Sequence, residues 1–269
     1  MSQYLATSRG DRVAYDVYGS GPAVLFVAGA GPYRAIDPVT TGTAERVAAR
    51  GLTAVVHDRV GRGESRVAGR IGRDRELDAV AALLDAAGGS AVLVGHSSGC
   101  SIALAAAARG LPVDGLVLWE APLDPPEAHG AVQAWVDEVD QRVQVGDLEG
   151  AMWHYMKDMP ADFREGARRN RAFPDMVAQA GAYVADGESL AWASSAPLAE
   201  LLADVRVPVL ALVGQETFPG MAEAAQAVAD AVPGARWERV PGAHHTWDVH
   251  AMADRIVAFV EETRARAVR

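Results

Sequence analysis

The chain has 269 residues, half of them apolar and 22% charged, with a formal net charge of −10. That length holds one large domain, with or without an insertion, and that composition is ordinary for a globular protein. The excess of acid repels phosphate backbones and anionic lipid heads, so neither nucleic acid nor a membrane surface is expected as a partner.

In chain order, an edge strand is predicted near Tyr4–Thr7, followed by strands at Arg12–Tyr18 and Ala23–Val27. A helical pattern covers Thr43–Arg50, then a strand Ala54–His57 and a helix Arg75–Ala86. Strand Ala91–Val94 leads into helix Ser98–Arg109, and strand Gly115–Trp119 follows. After a long interruption come strand Val209–Val213, helix Ala222–Ala231, strand Arg236–Val240 and helix Met252–Ala265. Most inner strands are continuous apolar runs, as expected for strands buried on both faces. Strands alternating with helices predict an α/β fold with a doubly wound, mostly parallel sheet.

Residues 121–197 break this rhythm. The stretch opens with APLDPPEAHG, closes with SSAP, and carries helical patterns without a strand. The expected organisation is therefore a core of residues 1–120 and 198–269 with a helical cap inserted at 121–197. The cap is rich in Trp, Tyr, Phe and Met, and ligand pockets are mostly apolar. Trp135, Trp153, Met156 and Tyr183 are its candidate substrate-binding residues.

The strand AVLV runs directly into Gly95-His96-Ser97-Ser98-Gly99 and then into the helix CSIALAAAARG. This is G-x-S-x-G in a strand–turn–helix context, which presents the serine at the carboxyl edge of a sheet. Glycines two residues either side let strand and helix approach closely enough to make the turn. The helix then aims its N-terminus at the place where negative charge would develop.

These motifs resemble the α/β-hydrolase family over nearly the whole chain. AVLFVAGAG (23–31) is similar to the family's strand and oxyanion turn, and HDRVGRGES (57–65) to its Asp-x-x-Gly-x-Gly-x-Ser loop. GHSSG is the elbow, VPVLALVG the penultimate strand and VPGAHH the histidine loop. The resemblance implies Ser97 as nucleophile. It implies His245 as general base, three residues after the glycine of the PGAHH turn, with neighbouring His244 the other candidate. Backbone N–H groups of Ser98 and Ala30 would form the oxyanion hole; the family often has His-Gly where this chain has Ala28-Gly29.

The family usually places an aspartate three residues after the glycine that ends the penultimate strand. Here that position is Thr217, which carries no charge. Glu216 stands one residue early, and Glu120 ends the preceding strand in GLVLWEAP. An acid at the latter place is similar to the arrangement in lipases and in the zearalenone-lactonase type. A carboxylate straight after an apolar run also needs a partner, because an unpaired buried charge is costly. Glu120 is therefore the expected acid and Glu216 its competitor.

The reading that follows is a carboxylic ester hydrolase, esterase- or lactonase-like, acting on a medium-sized hydrophobic small molecule through an acyl-enzyme. A ligand-binding or receptor-like protein on the same fold is the alternative. No His-Glu-x-x-His, paired-cysteine or EF-hand spacing occurs, so no metal and no cofactor are expected. The single cysteine, Cys100, excludes an internal disulfide. The first residues hold no basic stretch followed by an apolar one, which predicts no secretory signal and a cytoplasmic monomer or homodimer.

Overall fold

A computed structural model describes residues 2–267. Its main sheet has eight strands in the order β1-β2-β4-β3-β5-β6-β7-β8. These are β1 (Gln3–Ala6), β2 (Arg12–Gly19), β3 (Ala23–Val27), β4 (Thr53–His57), β5 (Ala91–His96), β6 (Val113–Trp119), β7 (Val209–Gly214) and β8 (Arg236–Val240). β1 and β2 pair antiparallel, as do β2 and β4, and all later pairings are parallel. The sheet is thus the mostly parallel, doubly wound one that the alternating pattern predicts.

Period-two alternation explains the continuous apolar runs. In β3, Leu25 and Val27 face one core with Leu93, Leu116 and Leu118, against Leu83, Leu84 and Leu104. Val24 and Phe26 face the other core with Val94, Val117 and Trp119, against Val47, Ile256 and Phe259. The first core lies under α2 (Arg73–Ala86), α3 (Ser98–Ala108) and α10 (Met221–Ala231); the second lies under α1 (Pro38–Ala48) and α11 (Val249–Ala267).

Helix α1 begins five residues before the apolar periodicity suggests. Asp37 accepts the Thr40 N–H at 3.0 Å, and Pro38 occupies the first helical position, where its missing donor costs nothing. The pattern of apolar residues cannot show such a start, because capping is a polar signal.

Between β6 and β7 run α4 (His129–Gln144), α5 (Leu148–Tyr155), α6 (Ala161–Arg169), α7 (Phe173–Ala178), α8 (Tyr183–Ala193) and α9 (Leu198–Leu201). Val139, Met152, Tyr155, Met156, Tyr183 and Val184 form a separate core within this segment. Helix α8 also packs on α2 and α3, where its Ala185, with Ala182 just before the helix, joins the main core. Among the described residues no helix is long and apolar enough to cross a membrane.

Candidate functional site

The carboxyl ends of β5, β6 and β7 and the turn after β8 meet at one edge of the sheet. Ser97 leaves β5 with φ 52° and ψ −125°, a strained backbone for a residue with a side chain. Its N–H donates to the Trp119 carbonyl at 2.9 Å, which ties the turn to β6. The flanking glycines are required by contact. A Cβ on Gly99 would stand 2.1 Å from the Val27 carbonyl oxygen, and one on Gly95 2.7 Å from the Cys100 Cα. The turn after β3 lies against Ser97, since a Cβ on Gly29 would come within 3.0 Å of the Ser97 Cβ.

Glu120 follows β6 with φ 46° and is fully buried. One carboxylate oxygen accepts the Gly214 N–H at 3.0 Å. The other accepts Nδ1–H of His245 at 2.5 Å. Burial by itself opposes ionisation. The hydrogen bond from His245 leads the effects that outweigh it, followed by Thr217, the Gly214 N–H and the charge of His245. Together they hold Glu120 below the usual carboxylate range. The Thr217 hydroxyl is buried and makes no hydrogen bond of good geometry. Glu216 is exposed, and its recorded bond is a backbone one to Gly242.

The two histidines of PGAHH occupy a hairpin. Strands β9 (Gly242–Ala243) and β10 (Thr246–Trp247) pair antiparallel, leaving His244 and His245 as a two-residue loop. Their φ values are 54° and 66°. Two successive left-handed residues are the signature of a type I′ turn, usually built from Asn-Gly. The tight turn sends the two side chains to different places: His244 is exposed, while His245 turns in to Glu120 with 12% of its side chain accessible.

Two rings, half-buried His96 and fully buried Trp119, grip the strained His245 backbone. His96 Nε2–H donates to the His245 carbonyl at 3.0 Å, and the Trp119 indole N–H donates to the same oxygen at 3.3 Å. Burial pushes His96 down to about 3, with a further push from neighbouring His245. His96 is therefore neutral near pH 7, and a carbonyl acceptor requires the proton on Nε2. The His96 and His245 rings stand 5.0 Å apart, and Phe218 stacks on His245 at 5.5 Å. With Nδ1 donating to Glu120, His245 Nε2 has no protein partner among the described residues.

Of the candidate binding residues, Tyr183 comes nearest the turn after β3. Its hydroxyl and the Met176 Cε would each be 3.5 Å from a Cβ on Gly31, next to Ala30. Met156 and Tyr183 are buried in the helical segment's own core, where Tyr183 stacks on Tyr155 at 4.6 Å. Trp135 packs beside Tyr155 and donates to the His154 carbonyl. Trp153 lies among Glu149, Phe173 and Arg168 rather than with residues of the site. Phe218 escapes sequence reading because the family pattern in the loop after β7 concerns only the acid position beside it. Phe163 of α6 meets it edge-on at 6.5 Å, so the helical segment reaches the His245 side as well. No group of His, Cys, Asp and Glu residues suited to a metal ion occurs among the described residues.

The model of the alpha/beta hydrolase family matches residues 24–259. Curated protein sequences gave no match. The chain is similar in structure to an alpha/beta hydrolase from Sphaerobacter thermophilus DSM 20745, at 29% identity over 96% of this chain and 100% of that one, with a TM-score of 0.79. A thermophilic esterase from Thermogutta terrifontis shares 21% identity over 99% and 98% of the two chains, with a TM-score of 0.66. An enol-lactonase from Burkholderia xenovorans LB400 shares 16% over 98% and 100%, with a TM-score of 0.64. At these last two identities the likeness is one of fold.

Proposed function

The chain belongs to the α/β-hydrolase family, and within it we propose a serine hydrolase that cleaves carboxylic esters or lactones of medium-sized hydrophobic molecules. The observation that carries the reading is the hydrogen bond from His245 to the buried Glu120, at the sheet edge where Ser97 stands in its strained turn. A carboxylate on Nδ1 fixes the tautomer that leaves Nε2 free to accept a proton.

In the proposed reaction Ser97 Oγ attacks the ester carbonyl carbon while its proton passes to His245 Nε2. The carbonyl electrons move to oxygen, which accepts hydrogen bonds from the Ala30 and Ser98 N–H groups. The tetrahedral centre collapses, the bond to the alcohol oxygen breaks, and His245 returns its proton to that oxygen. Water then repeats the sequence on the acyl-enzyme and frees the acid. In a lactone the leaving alcohol stays tethered to the acyl group. Glu120 keeps its charge throughout and stabilises the imidazolium.

Residues 121–197 serve in this reading as the cap that shapes the substrate cleft. Met176 and Tyr183 beside Gly31, and Phe163 with Phe218 beside His245, support an apolar lining. A series of p-nitrophenyl esters of graded acyl length, assayed beside the Ser97→Ala variant, tests the proposal. Turnover that requires Ser97 and improves from acetate to medium chains is expected. Wild-type protein inert towards esters and lactones, yet binding them, would instead point to a ligand-binding protein.

A further inference from the structure

Asp186 lies on α8, in the segment between β6 and β7, and is fully buried. One of its oxygens accepts the Ser98 hydroxyl at 2.6 Å and Arg59 Nη1 at 2.7 Å. The other accepts Arg62 Nη2. Arg59 also reaches Glu76 on α2 at 2.9 Å. Arg59, Arg62, Asp186 and Glu76 are each 0–1% exposed. Two guanidinium groups and two carboxylates make the cluster formally neutral, so their mutual attraction offsets part of the cost of taking four charges out of water.

Both arginines also donate to the turn after β3. Arg62 Nη1 donates to the Gly29 carbonyl at 2.8 Å. Arg59 Nη1 donates to the Ala28 carbonyl at 3.0 Å and reaches Gly29 at 3.4 Å. The direction of the Gly29 carbonyl matters because a trans peptide is planar, with its C=O and N–H pointing opposite ways. Holding the Gly29 oxygen towards Arg62 therefore aims the N–H of Ala30 away from it. Ala30 is one proposed oxyanion donor, and Ser98, whose hydroxyl Asp186 holds, is the other.

We infer that Asp186, acting through Arg62, Arg59 and the Ser98 hydroxyl, is a positioning residue that presets both donors of the oxyanion hole. It ties them to α8, in the helical segment between β6 and β7. The inference rests on the hydrolase reading. It gives this buried cluster a role beyond stability, since a buried ion group is weak evidence of stabilisation.

The test compares Asp186→Asn, Arg62→Met and Ser98→Ala with wild type. Ser98→Ala keeps the backbone N–H and removes only the hydroxyl, so it decides the matter if the charge variants fail to fold. Two readouts are taken on folded protein: steady-state kinetics with a p-nitrophenyl ester, and affinity for phenylboronic acid. The boronic acid forms a tetrahedral adduct on a nucleophilic serine and places an oxygen in the oxyanion hole. Expected is a fall in kcat of roughly 10- to 100-fold for the charge variants and a smaller one for Ser98→Ala, with KM within about threefold, because displaced donors act mainly in the transition state. Boronate affinity should fall in parallel. Lower thermal stability with wild-type kcat and boronate affinity would overturn the inference, as would a change confined to KM. Wild-type protein without Ser97-dependent turnover would remove the hydrolase reading and this inference with it.

Discussion

Glu120 and His245, 125 positions apart in the chain, meet through a 2.5 Å hydrogen bond in which the imidazole Nδ1–H donates to a fully buried carboxylate. The Gly214 N–H at the end of β7 holds the second oxygen of the same carboxylate. The acid thus ends one strand, is steadied by the next, and orients a ring carried by the hairpin after the last.

Glu120→Gln keeps the shape of the side chain and removes the charge that would stabilise an imidazolium. It should fold and lose roughly 10²- to 10⁴-fold in kcat, in the range for neutralising a triad acid. Glu216→Gln, at an exposed residue, should stay within about twofold of wild type. Steady-state kinetics on the two purified variants checks the pair. A severe loss in Glu216→Gln with a normal Glu120→Gln would reverse the assignment.

Ser97→Ala should lower kcat by roughly 10⁴- to 10⁶-fold, as for other triad nucleophiles. A fluorophosphonate probe followed by peptide mapping should find label on Ser97 in wild type and none in the variant. Label persisting in the variant would place the nucleophile elsewhere.

The hairpin leaves His244 exposed and turns His245 in to Glu120, with left-handed backbone at both. His245→Ala should match the serine variant in severity. His244 is exposed with φ 54°, a conformation that asparagine tolerates better. His244→Asn should therefore keep activity and stabilise the fold by a few tenths to about 1 kcal/mol. Thermal melts and ester assays on both variants measure this. Loss of activity in His244→Asn together with a normal His245→Ala would show that the roles are exchanged.

Acid should unfold the protein through buried His57 and half-buried His96. His57 is pushed down to about 3, chiefly by burial and then by Arg59, and His96 is likewise held near 3. An unfolded histidine titrates near 6.5. The unfolded chain therefore binds more protons than the folded one between about pH 6.5 and 3. Stability is complete above that window and falls as pH drops through it. Glu120, held below the usual carboxylate range, adds a loss of the same sign at the acid end. Urea midpoints measured from pH 7.5 to 4.5 should decline, and His57→Gln should make the decline shallower. An unchanged slope in that variant would show that His57 contributes nothing to it.

The sequence by itself determined the sheet, the elbow and the short set of polar residues around them. Those features are local: two-residue periodicity fixes which side chains enter each core, and GHSSG can make its turn only because both glycines meet backbone. It also narrowed the proposed acid to Glu120 or Glu216 and the proposed base to His245 or His244. Only the tertiary structure decided which members of those pairs meet, because the answer depends on strand order and register. β6 lies beside β7, and β7 beside β8, so the end of β6 faces the hairpin that follows β8. The left-handed backbone at His244 and His245 was equally hidden, since neither residue signals a type I′ turn. Asp186 shows the limit most clearly. In YVADGESLAWA it reads as one polar residue of a helix. Its partners Arg59, Arg62 and Ser98 lie about a hundred positions away, and no spacing rule encodes a hydrogen bond that forms only when helix and sheet have packed.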